Sequence, residues 1–129
     1  MRRRTCLKTM LAGACAATVP AASQQHPIQL HVDLSVDPAQ ERDMLHSFHT
    51  VFRPAAAKQP GFIDVKMLKL RSALAGTGPS GANYRFELTF ANEEQRQAWV
   101  ATATHKQVWP TIEKTLASKN YTVLLYDEV

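Results

Sequence analysis

The chain has 129 residues, 15 basic against 11 acidic, only two cysteines, and an apolar share of 45 %. That length allows one domain. Four of the basic residues (Arg2, Arg3, Arg4 and Lys8) stand in the first eight, and beyond them eleven basic and eleven acidic residues balance. A neutral remainder has no surplus charge to follow a phosphate backbone, which argues against nucleic acid as a partner.

The opening "MRRRTCLKTMLAGACAATVPAAS" has a basic start, a short apolar run and small residues before a polar stretch. That is the order of a cleaved export signal, and the run is too short for a stable membrane span. Arg3-Arg4-Thr5-Cys6-Leu7-Lys8 looks like the twin-arginine pattern, with cysteine at its usual phenylalanine. Residues 1–22 are therefore expected to be a signal peptide, 23–27 a linker and 28–129 the folded domain, exported to the periplasm or beyond. Cys15 follows "LAGA", but Ala12 replaces the leucine of a lipoprotein box, so no lipid anchor is expected there. Both cysteines leave with the signal, and the mature domain relies on its core without a disulfide or a thiol.

From Ile28 to Val36 apolar and polar residues alternate, which predicts a half-buried strand. Asp37-Pro38 ends it and opens a helix. That helix runs to Lys58, with Met44, Leu45, Phe48, Val51, Phe52 and Ala55 on one stripe and Pro54 placed to kink or end it. Pro60-Gly61 is a turn into a second strand, Phe62 to Leu70. "SALAGTGPSGAN" reads as a hairpin loop without the setting of a phosphate-binding loop. Tyr84 to Phe90 alternates as a third strand, Asn92 starts a helical region reaching about Leu116, and Tyr121 to Tyr126 closes the chain as a fourth strand.

Strand, helix, strand, strand, helix, strand implies a ferredoxin-like α+β fold: a four-stranded antiparallel sheet with its helices on one face. The other face carries His31, Asp33, Lys66, Arg85 and Glu87, charges of both signs suited to meeting the same face of a second copy, so a homodimer is expected.

The runs "FRPAAAKQPGFIDVKMLK" and "FELTFANEEQRQAWVATATHKQVWPTIE" resemble the antibiotic biosynthesis monooxygenase-like (ABM) superfamily over about residues 28–128. The marks are Pro60-Gly61-Phe62, the polar helix start after Phe90, and Trp99 with its W-x5-H-x3-W-P continuation. The resemblance implies a dimeric α+β barrel. Some members oxidise polycyclic phenols and quinols with molecular oxygen and no metal or flavin, others open haem, and many have no known activity; a shared fold does not carry the reaction. It implies further that Trp99 faces a cavity between helix and sheet. Some quinone-forming members pair that tryptophan with an asparagine one turn earlier, where this chain has Gln95. The haem-degrading branch needs a histidine ten residues after it, where this chain has Trp109, which cannot ligate iron.

The expected cavity is lined by Phe48, Phe52, Phe86, Leu88 and Trp99. In the enzymatic reading Trp99 and Gln95 position a small aromatic or quinol substrate, His105 handles protons, and no cofactor is needed. The alternative is a non-catalytic ligand-binding or stress-response module using the same cavity. Each residue also has a structural reading. Trp99 supplies core area, Trp109 packs or meets a second subunit, and His105 sits at the third position of a helix capped by Thr102. His46 and His49 are three apart, but the former lies off the apolar stripe and the latter only flanks it, which favours solvated side chains over a metal site. His31 and Asp33 share a strand face, as an interface pair or as a polar dyad.

Overall fold

The alternating run beginning at Ile28 forms strand β1 (Ile28–Leu34) in the computed structural model, which describes residues 26–129. The expected signal peptide lies outside the described residues. β1 ends before Val36, which keeps only a single bridge to Leu116. There the Asn83 side chain replaces the ladder: its Nδ2 donates to the Val36 carbonyl at 2.9 Å and its Oδ1 accepts the Val36 N–H at 2.8 Å. Asp37 caps the next element, its Oδ1 accepting the Ala39 N–H at 2.9 Å.

The first helical region is not uniform. A 3-10 turn (Pro38–Gln40) leads into α1 (Glu41–Ser47), a π turn (Phe48–Phe52) and α2 (Arg53–Ala57). Pro54 explains the π turn. In an α-helix its ring would clash with the carbonyl four residues back, and it has no N–H to donate there. Widening the preceding turn, with the Arg53 N–H bonded to the Phe48 carbonyl, lets the helix pass the proline instead of ending at it. The wider turn also shifts the helix phase. Val51, expected on the apolar stripe, is 37 % exposed, while Ala56 is fully buried.

The other elements are β2 (Phe62–Lys69), β3 (Tyr84–Phe90), α3 (Glu93–Ala101), α4 (Ala103–Glu113) and β4 (Thr122–Asp127). The sheet order is β2-β3-β1-β4 with antiparallel neighbours throughout. This is the ferredoxin-like α+β fold. Register places Leu30 opposite Leu88 and Val32 opposite Phe86, so one face is apolar and packs on Phe48, Phe52, Trp99 and Ile112. The reverse face carries Asp33 paired with Arg85 at 2.9 Å and His31 beside Glu87 at 3.7 Å.

The two sheet edges differ. β2 has a register shift between Phe62 and Asp64 and charges at Asp64, Lys66 and Lys69, the usual protections of an edge. β4 has none of these before Asp127, and Val123, Leu124, Leu125 and Tyr126 are all exposed, on both faces of the strand.

Gly61 enters β2 at φ +85°, and an added Cβ would run into the Gln95 side chain. Gly61→Ala is expected to cost about 2 kcal/mol of stability, from a left-handed backbone plus displacement of Gln95, read as a lowered urea midpoint.

Candidate functional site

Asn92 starts α3, its Oδ1 accepting the Gln95 N–H at 2.8 Å, and Glu93 holds Arg96 at 2.6 Å in the first turn. This sets the phase that buries Trp99, which is 1 % exposed. Thr102 then breaks the helical region with an extended backbone (ψ 152°). Its hydroxyl donates to the Trp99 carbonyl at 2.7 Å and accepts the His105 N–H at 3.1 Å. One residue thus closes α3, opens α4 and brings two side chains together. The Trp99 and His105 rings meet edge to face, with centroids 5.0 Å apart.

These rings form part of a cavity of about 240 Å3 between sheet and helices. Leu30, Val32, Phe86 and Leu88 form its sheet side. Phe52, Trp99, Val100, His105 and Trp109 form its helix side, and Tyr121 and Val123 complete it next to β4. Phe52 is at the centre of the aromatic packing, 5.2 Å from Phe86, 5.9 Å from Trp99 and 6.0 Å from Trp109. A second hollow, about 320 Å3 on the reverse face, includes Asp33 and Arg85, which already pair with each other.

The polar groups of the apolar cavity are few. Trp99 Nε1 is buried with no hydrogen-bond partner, and so is Gln95 Oε1 one turn earlier on the same face of α3. Buried donors and acceptors are rarely left so, because each unmade bond costs about 1–3 kcal/mol. Burial holds the His105 imidazole below its ordinary pKa, and the nearby Arg96 charge adds to the effect. His105 is therefore neutral at pH 7, and no side chain among the described residues hydrogen-bonds its ring.

Of the residues singled out in the sequence, Phe52, Phe86, Leu88, Trp99 and His105 stand in the cavity wall. Phe48 does not. It stacks on Phe52 at 6.4 Å and is buried in the core, because the π turn brings Phe52 to the cavity side. Gln95 also lies outside the wall, its amide packed against Gly61. The capping bond to Thr102 comes from the His105 backbone, leaving the imidazole free of that task. His46 and His49 are both exposed, and the described residues contain no group of three or more ligand-type side chains that would hold a metal. His31 bonds Gln29 and Asp33 bonds Arg85, so these two form no dyad. Sequence reasoning missed Leu30, Val32, Val100, Trp109, Tyr121 and Val123 as wall residues. Trp109 had a signal, standing four residues after His105 and so on the same helix face; Tyr121, just before a strand, had none.

Several solved structures superpose on this geometry. A Caulobacter crescentus protein described as a putative antibiotic biosynthesis monooxygenase matches with TM-score 0.64 and 19 % identity, over 81 % of this chain and 92 % of that one. SnoaB, a cofactor-independent oxygenase from Streptomyces nogalater, matches in a mutant form with TM-score 0.62 and 13 % identity, over 78 % and 91 %. A dimeric ferredoxin-like protein of unknown function from Jannaschia matches with TM-score 0.62 and 15 % identity, over 80 % and 98 %. The chain has their fold. No family model matches the chain, and neither does any curated protein. Identities this low carry a likeness of ABM-type architecture alone, so the chemistry has to be argued from the cavity.

Proposed function

We propose that the chain is a cofactor-independent monooxygenase-like protein acting on a small hydroxylated aromatic molecule held in the 240 Å3 cavity. One observation carries the reading: Trp99, which stands in the cavity wall, has a buried Nε1 with no hydrogen-bond partner. A phenolic oxygen accepts a hydrogen bond, which complements that donor, and its own proton is left for His105. The other walls are apolar and supply no charge, which selects a neutral ring system.

In this reading His105 acts as base. Its neutral ring takes the phenolic proton, and the electron-rich anion reacts with molecular oxygen at the ring carbon para to the hydroxyl. For 1-naphthol and one O2 the products are 1,4-naphthoquinone and one water: one oxygen atom becomes the new carbonyl, and the other leaves with the two hydrogens. With 1-naphthol, oxygen uptake and quinone absorbance are expected together. His105→Ala is expected to lower kcat about 100-fold. Trp99→Phe, which loses one hydrogen bond, is expected to lower kcat/KM about tenfold. A base acts when unprotonated, and His105 sits below the ordinary value of 6.5. The rate is therefore expected to persist to lower pH than a free imidazole base would allow, and to fall on further acidification. Equal rates in wild type and the Trp99→Phe, His105→Ala double variant would remove the enzymatic reading.

A second reading is supported by one feature. A catalytic base is commonly oriented by a third group, and the His105 ring has no such partner among the described residues. The cavity would then serve a non-catalytic binding or stress-response module, for which 1-naphthol binds without oxygen uptake.

We propose also that the protein works as a homodimer, with β4 and the charged reverse face as the contact. An apolar edge strand exposed on both faces is an unprotected surface for a monomer, whereas the opposite edge is guarded. Light scattering at micromolar concentration is expected to give twice the chain mass, and Leu124→Lys is expected to give monomers. The twin-arginine-like start supports export, for which N-terminal sequencing of the mature protein is expected to begin near Ala22.

A further inference from the structure

We propose that Trp109 sets the length of ligand the cavity accepts, two fused rings, and that the Tyr121 hydroxyl locks it in place by bridging it to Glu113. This rests on the reading of the cavity as a ligand site. Both indoles line the cavity and both pack on Phe52, 5.9 Å from Trp99 and 6.0 Å from Trp109, without pairing with each other. A ligand that fills the cavity and is held by Trp99 therefore also meets Trp109. The space between them is small: a dry apolar cavity of roughly 150 Å3 takes up one benzene ring. At about 240 Å3 this one has room for a second fused ring, and a longer ligand meets the Trp109 side of the wall.

Trp109 is fixed rather than merely present. Its ring packs edge to face on Phe86 at 5.7 Å, on Phe52, and on Tyr121 at 5.9 Å. Its Nε1 donates to the Tyr121 hydroxyl at 3.3 Å, and that hydroxyl donates to Glu113 Oε2 at 2.9 Å. Trp109 and Glu113 are four apart on α4, hence neighbours on one face, and Tyr121 approaches from the other side, at the entry to β4. One hydroxyl thus ties two successive turns of the helix to the sheet. For the indole to swing aside and lengthen the cavity, this bridge has to open.

The test compares 1-naphthol with the four-ring 1-hydroxypyrene by titration on the mature protein, following the fluorescence of each probe. Wild type is expected to prefer 1-naphthol by about tenfold or more. Trp109→Leu is expected to shrink that preference about tenfold by admitting 1-hydroxypyrene, with Trp109→Phe intermediate in case the leucine variant folds poorly. Tyr121→Phe keeps the ring and removes the bridge, and is expected to shrink the preference about threefold. A purely structural role would weaken both probes in proportion and leave the ratio alone. That result, or an unchanged ratio in the Trp109 variants, overturns the proposal while the ligand site stands. If wild type binds neither probe, the ligand-site reading falls and this proposal with it.

Discussion

The position of the Phe52 ring is the constraint on which the cavity depends. Phe52 touches the sheet through Phe86, the end of α3 through Trp99, and α4 through Trp109. It gets there by the π turn that Pro54 imposes on the helix before it. The wider turn changes how residues four apart are offset around the axis, and Phe48 and Phe52 stack almost parallel, 14° between planes. Phe48 then fills the core while Phe52 reaches the space beside it. A backbone irregularity at one proline thus separates packing from cavity within a single helix face.

Thr102 plays a comparable part on the opposite wall. A continuous helix from Glu93 to Glu113 would carry Trp99 and His105 on different faces, since six residues are well short of two full turns. A single extended residue resets the direction, and its hydroxyl both ends one helix and caps the next. Trp99 and His105 meet as a result, and burial of the imidazole among apolar rings keeps it neutral.

Much of the fold was legible in the sequence because its signals are local. Alternation over Ile28–Leu34 and Tyr84–Phe90, the Asp37-Pro38 start and the Asn92 cap each act over a few residues. Legibility failed where several elements meet. Val51 and Phe48 satisfied the helical stripe, yet the π turn exposed one and sent the other into the core, and periodicity assumes a constant turn. Gln95 stood at the turn spacing that places it with Trp99, but the close approach of its amide to Gly61, from another element, keeps it out of the wall. Tyr121 reaches Trp109 and Glu113 through the chain reversal after α4, which no pattern in its own neighbourhood encodes.

The chain contains two tryptophans, and both stand in the wall of one cavity. Its indole emission is therefore a local signal without background from elsewhere in the chain. The two contributions differ in kind: Trp99 is buried with its N–H unpaired, and Trp109 is partly exposed and hydrogen-bonded to Tyr121. Any molecule entering the cavity would change the polarity around both at once, so indole emission reports on occupancy of this one place.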